Sequence, residues 1–157
     1  MTFYDPADEL TELSLRVTAL EDRGLYREAA ACQHTYVTLA LKRWGDRNRT
    51  VLDAMVRLGY LHRHAGSFAA CRHWYERVLE AGTPLLGESD ETIRRTCNNM
   101  GSLWSRWGDY DKAISYFRRA LGPVLRADDI PGHSLMYIAN MATSWWCKGR
   151  LDVAEPL

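Results

Sequence analysis

Four turn glycines recur at nearly constant spacing, in Arg23-Gly24-Leu25-Tyr26, Ala65-Gly66-Ser67-Phe68, Trp107-Gly108-Asp109-Tyr110 and Lys148-Gly149-Arg150-Leu151, at intervals of 42, 42 and 41 residues. A period of this size marks a stacked repeat protein, in which each unit buries its apolar face only against its neighbours. The 157 residues, 46% of them hydrophobic, supply enough apolar surface for a continuous core and read as one domain over 1–157.

Aligning the chain on these glycines assigns a packing role to each offset. Seven residues before the glycine stand Val17, Gly59, Gly101 and Ala142, and five after it stand Ala29, Cys71, Ala113 and Ala154. Small side chains at these places let two antiparallel helices approach closely. Bulky groups fill the complementary places: Leu58, Met100 and Met141 eight before, Tyr26, Phe68, Tyr110 and Leu151 two after, and Tyr75 and Phe117 nine after. Leu20, His62, Trp104 and Trp145 stand four before. The apolar pattern follows i, i+3, i+4, i+7, which is helical.

Each glycine therefore reads as the left-handed stop of one helix, with the next helix starting just after it. The expected helices are 6–22, 26–43, 49–64, 68–82, 91–106, 110–127, 134–147 and a fragment from 151. They group into helix hairpins over 6–43, 49–82, 91–127 and 134–157, the last incomplete. Asp5-Pro6 and Ser89-Asp90-Glu91 supply N-caps. The Gly45 and Gly87 segments, again 42 apart, mark the loops between hairpins, and Pro123 threatens the end of the sixth helix.

In their interleaving of small and large residues, these hairpins resemble the tetratricopeptide repeat family. The run from Asn99 through Gly101, Leu103, Trp104, Trp107-Gly108-Asp109-Tyr110, Ala113, Phe117 and Ala120 is a near-complete match. The period, the Asn98-Asn99 pair and the Gly87–Thr92 loop are similar to the longer variant in kinesin light chains and bacterial multi-repeat proteins. The first repeat is degenerate, with Arg16, Gln33 and Tyr36 at places usually apolar or small. The resemblance implies an all-α fold, with tandem hairpins stacked into a right-handed superhelix. It also implies a concave groove, lined by the first helix of each hairpin, that holds peptides or partner helices.

On that reading the groove carries Asp53, Val56, Arg57, Tyr60, Arg63 and His64 from the second repeat, and Arg95, Asn98, Asn99, Ser102, Ser105 and Arg106 from the third. Met136, Asn140, Thr143 and Trp146 come from the fourth. Arg57, Asn99 and Asn140 share one offset, an amide ladder with a basic end; an asparagine both donates and accepts, so it can satisfy an extended backbone. The four arginines against Asp53 make the centre locally basic and point to an acidic peptide, with Glu21 and Asp22 beginning a charge gradient. The same arginines can instead be solvated or bridge acids on adjacent helices, and Asn98-Asn99 can cap turns or pack between helices.

The remaining features set limits. The 20 basic and 20 acidic residues cancel, so bulk charge favours neither nucleic acid nor an anionic membrane as partner. No secretion-signal pattern or spanning apolar run occurs, and the four scattered cysteines lack a CxxC pair; a cytoplasmic location is expected. His62, His64 and His73 do not share a face, so no metal or other cofactor is expected. No phosphate loop, HExxH or GxSxG occurs, so no enzyme is expected. Arg94-Arg95 and Arg118-Arg119 read as solvated faces. Most tryptophans fall on packing offsets, and Trp146 is the candidate anchor for a partner. The expected function is a non-catalytic protein-interaction scaffold. The alternative is self-association, a homo-oligomer through the C-terminal hairpin near Trp145, Trp146, Val153 and Leu157, or a regulatory module of a larger protein.

Overall fold

The helical periodicity is realised in a computed structural model that describes residues 6–125, 132 and 134–149. Its helices are α1 (Pro6–Asp22), α2 (Tyr26–Trp44), α3 (Arg49–His64), α4 (Phe68–Leu86), α5 (Glu91–Arg106), α6 (Tyr110–Leu121) and α7 (Ser134–Cys147). The seven expected starts from 6 to 134 are met, as are the ends of α1, α3, α5 and α7. The Asp5 cap and the fragment from 151 lie outside the described residues. α2 runs one residue past 43, and two other ends differ by more. α6 stops at Leu121 rather than 127, because Gly122 caps it and Pro123 has no N–H to continue the ladder; the Val124 and Leu125 amides instead fold back onto the Leu121 carbonyl at 2.9 and 3.0 Å. α4 runs four residues past 82, carrying Pro84 inside its last turn and closing with the Gly87 amide on the Thr83 carbonyl.

The turn glycines end their helices by one mechanism. Gly24, Gly66 and Gly108 adopt φ of 71°, 77° and 79°, a region closed to most side chains. The residue after each then donates its amide five residues back, from Leu25 to Leu20, Ser67 to His62 and Asp109 to Trp104, at 2.8–3.1 Å. This satisfies a helix-end carbonyl and reverses the chain. The following starts are also fixed locally. Asn48 Oδ1 accepts from the amides of Thr50 and Val51, Asp90 Oδ1 from Thr92, and Asp109 Oδ1 from Lys112.

The chain divides into two compact units, Met1–Ala81 and Gly82–Leu157, with the boundary inside α4. In the first, α1 packs on α2 and α2 on α3, around fully buried Val17, Val37, Leu52, Met55, Leu58, Leu61 and Tyr75. Gln33 is buried with them and donates from Nε2 to the Ala54 carbonyl at 2.9 Å. Its polar character in the degenerate first repeat thus fastens α2 to α3. In the second unit α6 packs on α5 and on α7, and α7 also meets α5, around Ile93, Met100, Leu103, Phe117 and Leu121.

Within each unit the small and large offsets meet as the sequence predicts. A Cβ added to Gly59 would lie 2.5 Å from the Tyr75 ring, and one added to Gly101 would lie 2.6 Å from the Phe117 ring. Both rings are almost wholly buried. Gly101→Ala gains up to ~1 kcal/mol in helix propensity, but overpacking costs ~1–3 kcal/mol. Urea unfolding should show a net loss of ~1–2 kcal/mol. In a double-mutant cycle, Phe117→Leu should cost less in the Gly101→Ala background than in the wild-type chain, because the smaller side chain makes room for the methyl group.

Candidate functional site

With helix rotation set by the ring contacts, the outward faces of the first helices are set too. In the first unit α3 turns Arg57, Tyr60 and Arg63 outward, all half-buried. Arg57 is committed to α1: its Nε donates to Glu21 Oε2 at 2.9 Å, its Nη2 to the same carboxylate, and its Nη2 also to Thr18 Oγ1 at 2.9 Å. The alternative of an arginine bridging an adjacent acid holds at this position. Arg63 lies over the Tyr60 ring at 5.7 Å, and the exposed His64 ring is 4.3 Å from Tyr60 and 4.8 Å from Tyr26. This end of α3 is an aromatic and cationic patch.

In the second unit α5 presents Arg95, Asn99, Ser102 and Arg106 at i, i+4, i+7 and i+11, which places them on one stripe. The two arginines are exposed, and Asn99 and Ser102 are half-buried. α7 adds exposed Met136, Thr143 and Trp146 and half-buried Asn140. The amide contact that forms joins Asn140 to Asn98: Asn140 Nδ2 donates to Asn98 Oδ1 at 3.0 Å. Asn98 is 3% exposed, so its side chain tethers α5 to α7 and Asn99 is the outward amide. Ser102 and Thr143 return their hydroxyls to carbonyls four residues back in their own helices.

Several charged residues behave differently from the sequence expectation. Arg94 is buried, donating from Nε to the Ala120 carbonyl at 3.0 Å and from Nη2 to Ser134 Oγ at 2.9 Å, with Tyr137 beneath it at 5.8 Å. It is a clamp among three helices rather than half of a solvated pair. Arg119 forks onto both Glu88 oxygens and reaches Thr83 Oγ1 at 2.9 Å; the Glu88 hydrogen bond, foremost, raises its pKa. Arg118 covers Trp145 at 5.4 Å, and Lys112 covers Trp104 at 4.2 Å. The signal available in the sequence was the aromatic offset four before the glycine with cations on an adjacent helix, the following one for Trp104 and the preceding one for Trp145.

Burial pushes the Cys71 and Cys97 thiols up to about 11, which leaves them protonated and poorly nucleophilic at neutral pH. Among the described residues no three His, Cys, Asp or Glu side chains cluster to hold a metal ion. No helix among them is long and apolar enough to cross a membrane. An open groove of about 410 Å³ in the first unit, lined by Leu15, Tyr36, Arg43 and Trp44 among others, was not anticipated. Leu15 stands there at the offset that Arg57 and Asn99 occupy in the following repeats.

Burial, and then the nearby His34, hold the His62 pKa below its ordinary value. The folded chain therefore binds this proton less tightly than the unfolded chain, so the His62 contribution is present above an unfolded pKa near ~6.5 and is lost as pH falls through and below that value. Thermal unfolding should show stability declining from pH 7 to pH 5, with a shallower decline in His62→Gln. In the second unit, Asn140→Ala strands the buried Asn98 oxygen and should cost ~1–3 kcal/mol, whereas Asn99→Ala should stay within ~0.5 kcal/mol, both read by urea unfolding.

Comparison with known proteins agrees with this geometry. Residues 50–122 match the tetratricopeptide repeat. No curated protein sequence matches. Among solved structures, BtubC (BKLC) from P. vanneervenii is similar at a TM-score of 0.87 and 19% identity over 99% of this chain, which spans 63% of that one. A Podosopora anserina putative kinesin light chain with nearly identical TPR-like repeats is similar at a TM-score of 0.83 and 12% identity, over 98% of this chain and 72% of that one. The MamA protein is similar at 0.70 and 16% identity, over 94% and 68%. At these identities the likeness shows the fold alone, an all-α solenoid of helix hairpins.

Proposed function

We propose, from the premise that the chain is a tetratricopeptide repeat protein, that it is a non-catalytic scaffold gripping an acidic, extended segment of a partner protein along the outward stripe of α5. Repeats of this family generally mediate protein–protein interaction. The observation that carries the narrower reading is the order of side chains on that stripe: an exposed arginine at each end, Arg95 and Arg106, with Asn99 and Ser102 between them. Arginine forks pair with carboxylates, and the Asn99 amide can both donate to and accept from a peptide backbone.

The stripe also sets a length. Eleven residues of helix rise ~17 Å, and an extended chain covers that in about five residues. The favoured ligand carries two acidic residues about five positions apart, with small or polar residues between them. On α7, Asn140 and Thr143 extend the same polar surface beside α5, and the exposed Met136 offers an apolar contact. On α3 of the first unit, Arg63 and Tyr60 form a patch of their own, while Arg57 is held by Glu21.

The test is a capture from cell extract with the wild-type chain beside Arg95→Glu, Asn99→Ala, followed by anisotropy titration of a labelled peptide from whatever is retained. A charge-assisted hydrogen bond is worth ~1.5–3 kcal/mol, so the double variant should bind at least about tenfold more weakly at unchanged helicity. Affinity should also fall as salt is raised. Equal binding by both chains would remove the α5 stripe from the interaction.

A further inference from the structure

One position of the repeat carries opposite chemistry in the two units. In the second, the place where α6 meets the end of α7 is closed by its own charges: Lys148 pairs with Asp111, and Arg118 and Lys148 lie over the Trp145 ring at 5.4 and 5.8 Å. Asp111 and Arg118 stand three and ten after Gly108, and Trp145 and Lys148 four and one before Gly149. Counted in the same way from Gly24 and Gly66, the first unit has Arg27 and His34 on α2, then His62 and Ala65 at the end of α3. The acid is replaced by an arginine, the lysine by a methyl group, and the covered indole and its guanidinium by two imidazoles. A cavity of about 270 Å³ opens there, lined by these four residues and by Ser67, which precedes α4.

The cavity gathers donors and lacks a counter-charge. Arg27, His34 and Ser67 are exposed and His62 is half-buried. Among the described residues no acidic side chain lines the cavity, and Arg27 makes no ion pair. Glu28, next to Arg27 in the chain, lines a different groove with Leu13, Arg16 and Cys32. From α4, Trp74 meets His34 edge-on at 5.7 Å, with His73 and Arg77 against the same indole, while Glu76 is paired with Arg72. Burial, and then His34, lower the His62 pKa, as two imidazoles facing each other without a carboxylate require. We propose that this cavity binds a phosphoryl dianion, with the Arg27 guanidinium on two of its oxygens and His34, His62 and Ser67 donating to the others.

The donor set selects the ligand. A guanidinium fork matches two oxygens of a phosphoryl group, and a neutral imidazole donates one N–H and gains a second donor and a charge on protonation, which a dianion favours. The donors come from α2, from the end of α3 and from the start of α4, so they converge from several directions. That suits the tetrahedral oxygens of a phosphoryl group better than the two coplanar oxygens of a carboxylate. The space is several times the ~30 Å³ share of one water, enough to admit the group without moving backbone. The cavity shares no residue with the α5 stripe and is independent of the peptide reading.

The test follows the imidazole NMR resonances of the 157-residue chain at pH 7 during titration with sodium phosphate, at an ionic strength held constant with sodium chloride. A parallel titration uses N-acetyl-phosphoserine amide and its unphosphorylated form. Both phosphoryl compounds should shift His34 and His62 saturably and leave His64 in place, and the unphosphorylated form should shift none of them. The His62 pKa should rise in the bound state, because a neighbouring anion favours the imidazolium. Arg27→Asp, which restores the acid of the second unit at an exposed site, should weaken binding at least tenfold at unchanged helicity, and His62→Gln several-fold. Phosphoserine bound at least tenfold more tightly than inorganic phosphate upholds the site and identifies its ligand as a phosphorylated protein segment; equal affinities uphold it as a site for free phosphate. Lack of saturation with both compounds overturns the proposal, as does an equal response to chloride or undiminished binding by Arg27→Asp.

Discussion

The contact on which the rest depends is an aromatic ring pressed against a bare helix backbone, made twice: Tyr75 on Gly59 and Phe117 on Gly101. A methyl group in either glycine would sit inside the ring's van der Waals envelope, so the two helices of each hairpin are closer there than any other residue allows. The ring also fixes the rotation of each helix about its axis, because only one face of α3 and one of α5 has the gap. Once that rotation is set, the residues two turns along and on the far side have no choice of direction. The outward stripe of α5 and the lateral seam between α5 and α7 are both consequences of a packing contact that neither of them touches.

Arg94 shows how sharply rotation sorts chemistry. It and Arg95 are neighbours of the same type, yet one helical step of ~100° separates a buried clamp from an exposed cation. Arg94 donates to the Ala120 carbonyl, near the C-terminus of α6, where the helix dipole favours positive charge. Its second contact, Ser134, is the first residue of α7. The end of one helix and the beginning of the next are thus tied through a third. Tyr137 completes the site, its hydroxyl pKa raised foremost by burial.

Much of this architecture is legible in the sequence because it repeats. The turn glycines, the small residues seven before them and the rings nine after them recur at one period, so each occurrence corroborates the others. The fold fails to follow the pattern where one local residue overrides it, as at Pro123, which ends α6 early. Polar contacts are less legible for a physical reason: they depend on what stands opposite, and the opposite residue need not recur. Arg57 finds Glu21 at a separation of 36 residues, and no other repeat carries that pair. Asn140 pairs with Asn98 rather than Asn99 because Asn98 is the amide on the buried side of α5 that meets α7, whereas Asn99 turns outward. Gln33 reads as a defect in an apolar position until the Ala54 carbonyl appears beside it.

The pairing of charges bears directly on the proposed preference of a chain with 20 basic and 20 acidic residues for an acidic ligand. Arg57 is neutralised by Glu21, Arg119 by Glu88, Lys112 by Asp109 and Lys148 by Asp111. With no net charge, the chain has no monopole field to steer a uniformly acidic ligand from a distance. Arg95 and Arg106 stand ~17 Å apart along α5, about two screening lengths at physiological salt. On the proposed reading, each arginine would act on a ligand independently, through contact rather than through a shared potential. Selection would then depend on the spacing of two carboxylates and on the amide between them, so that position along a peptide would count for more than the peptide's net charge.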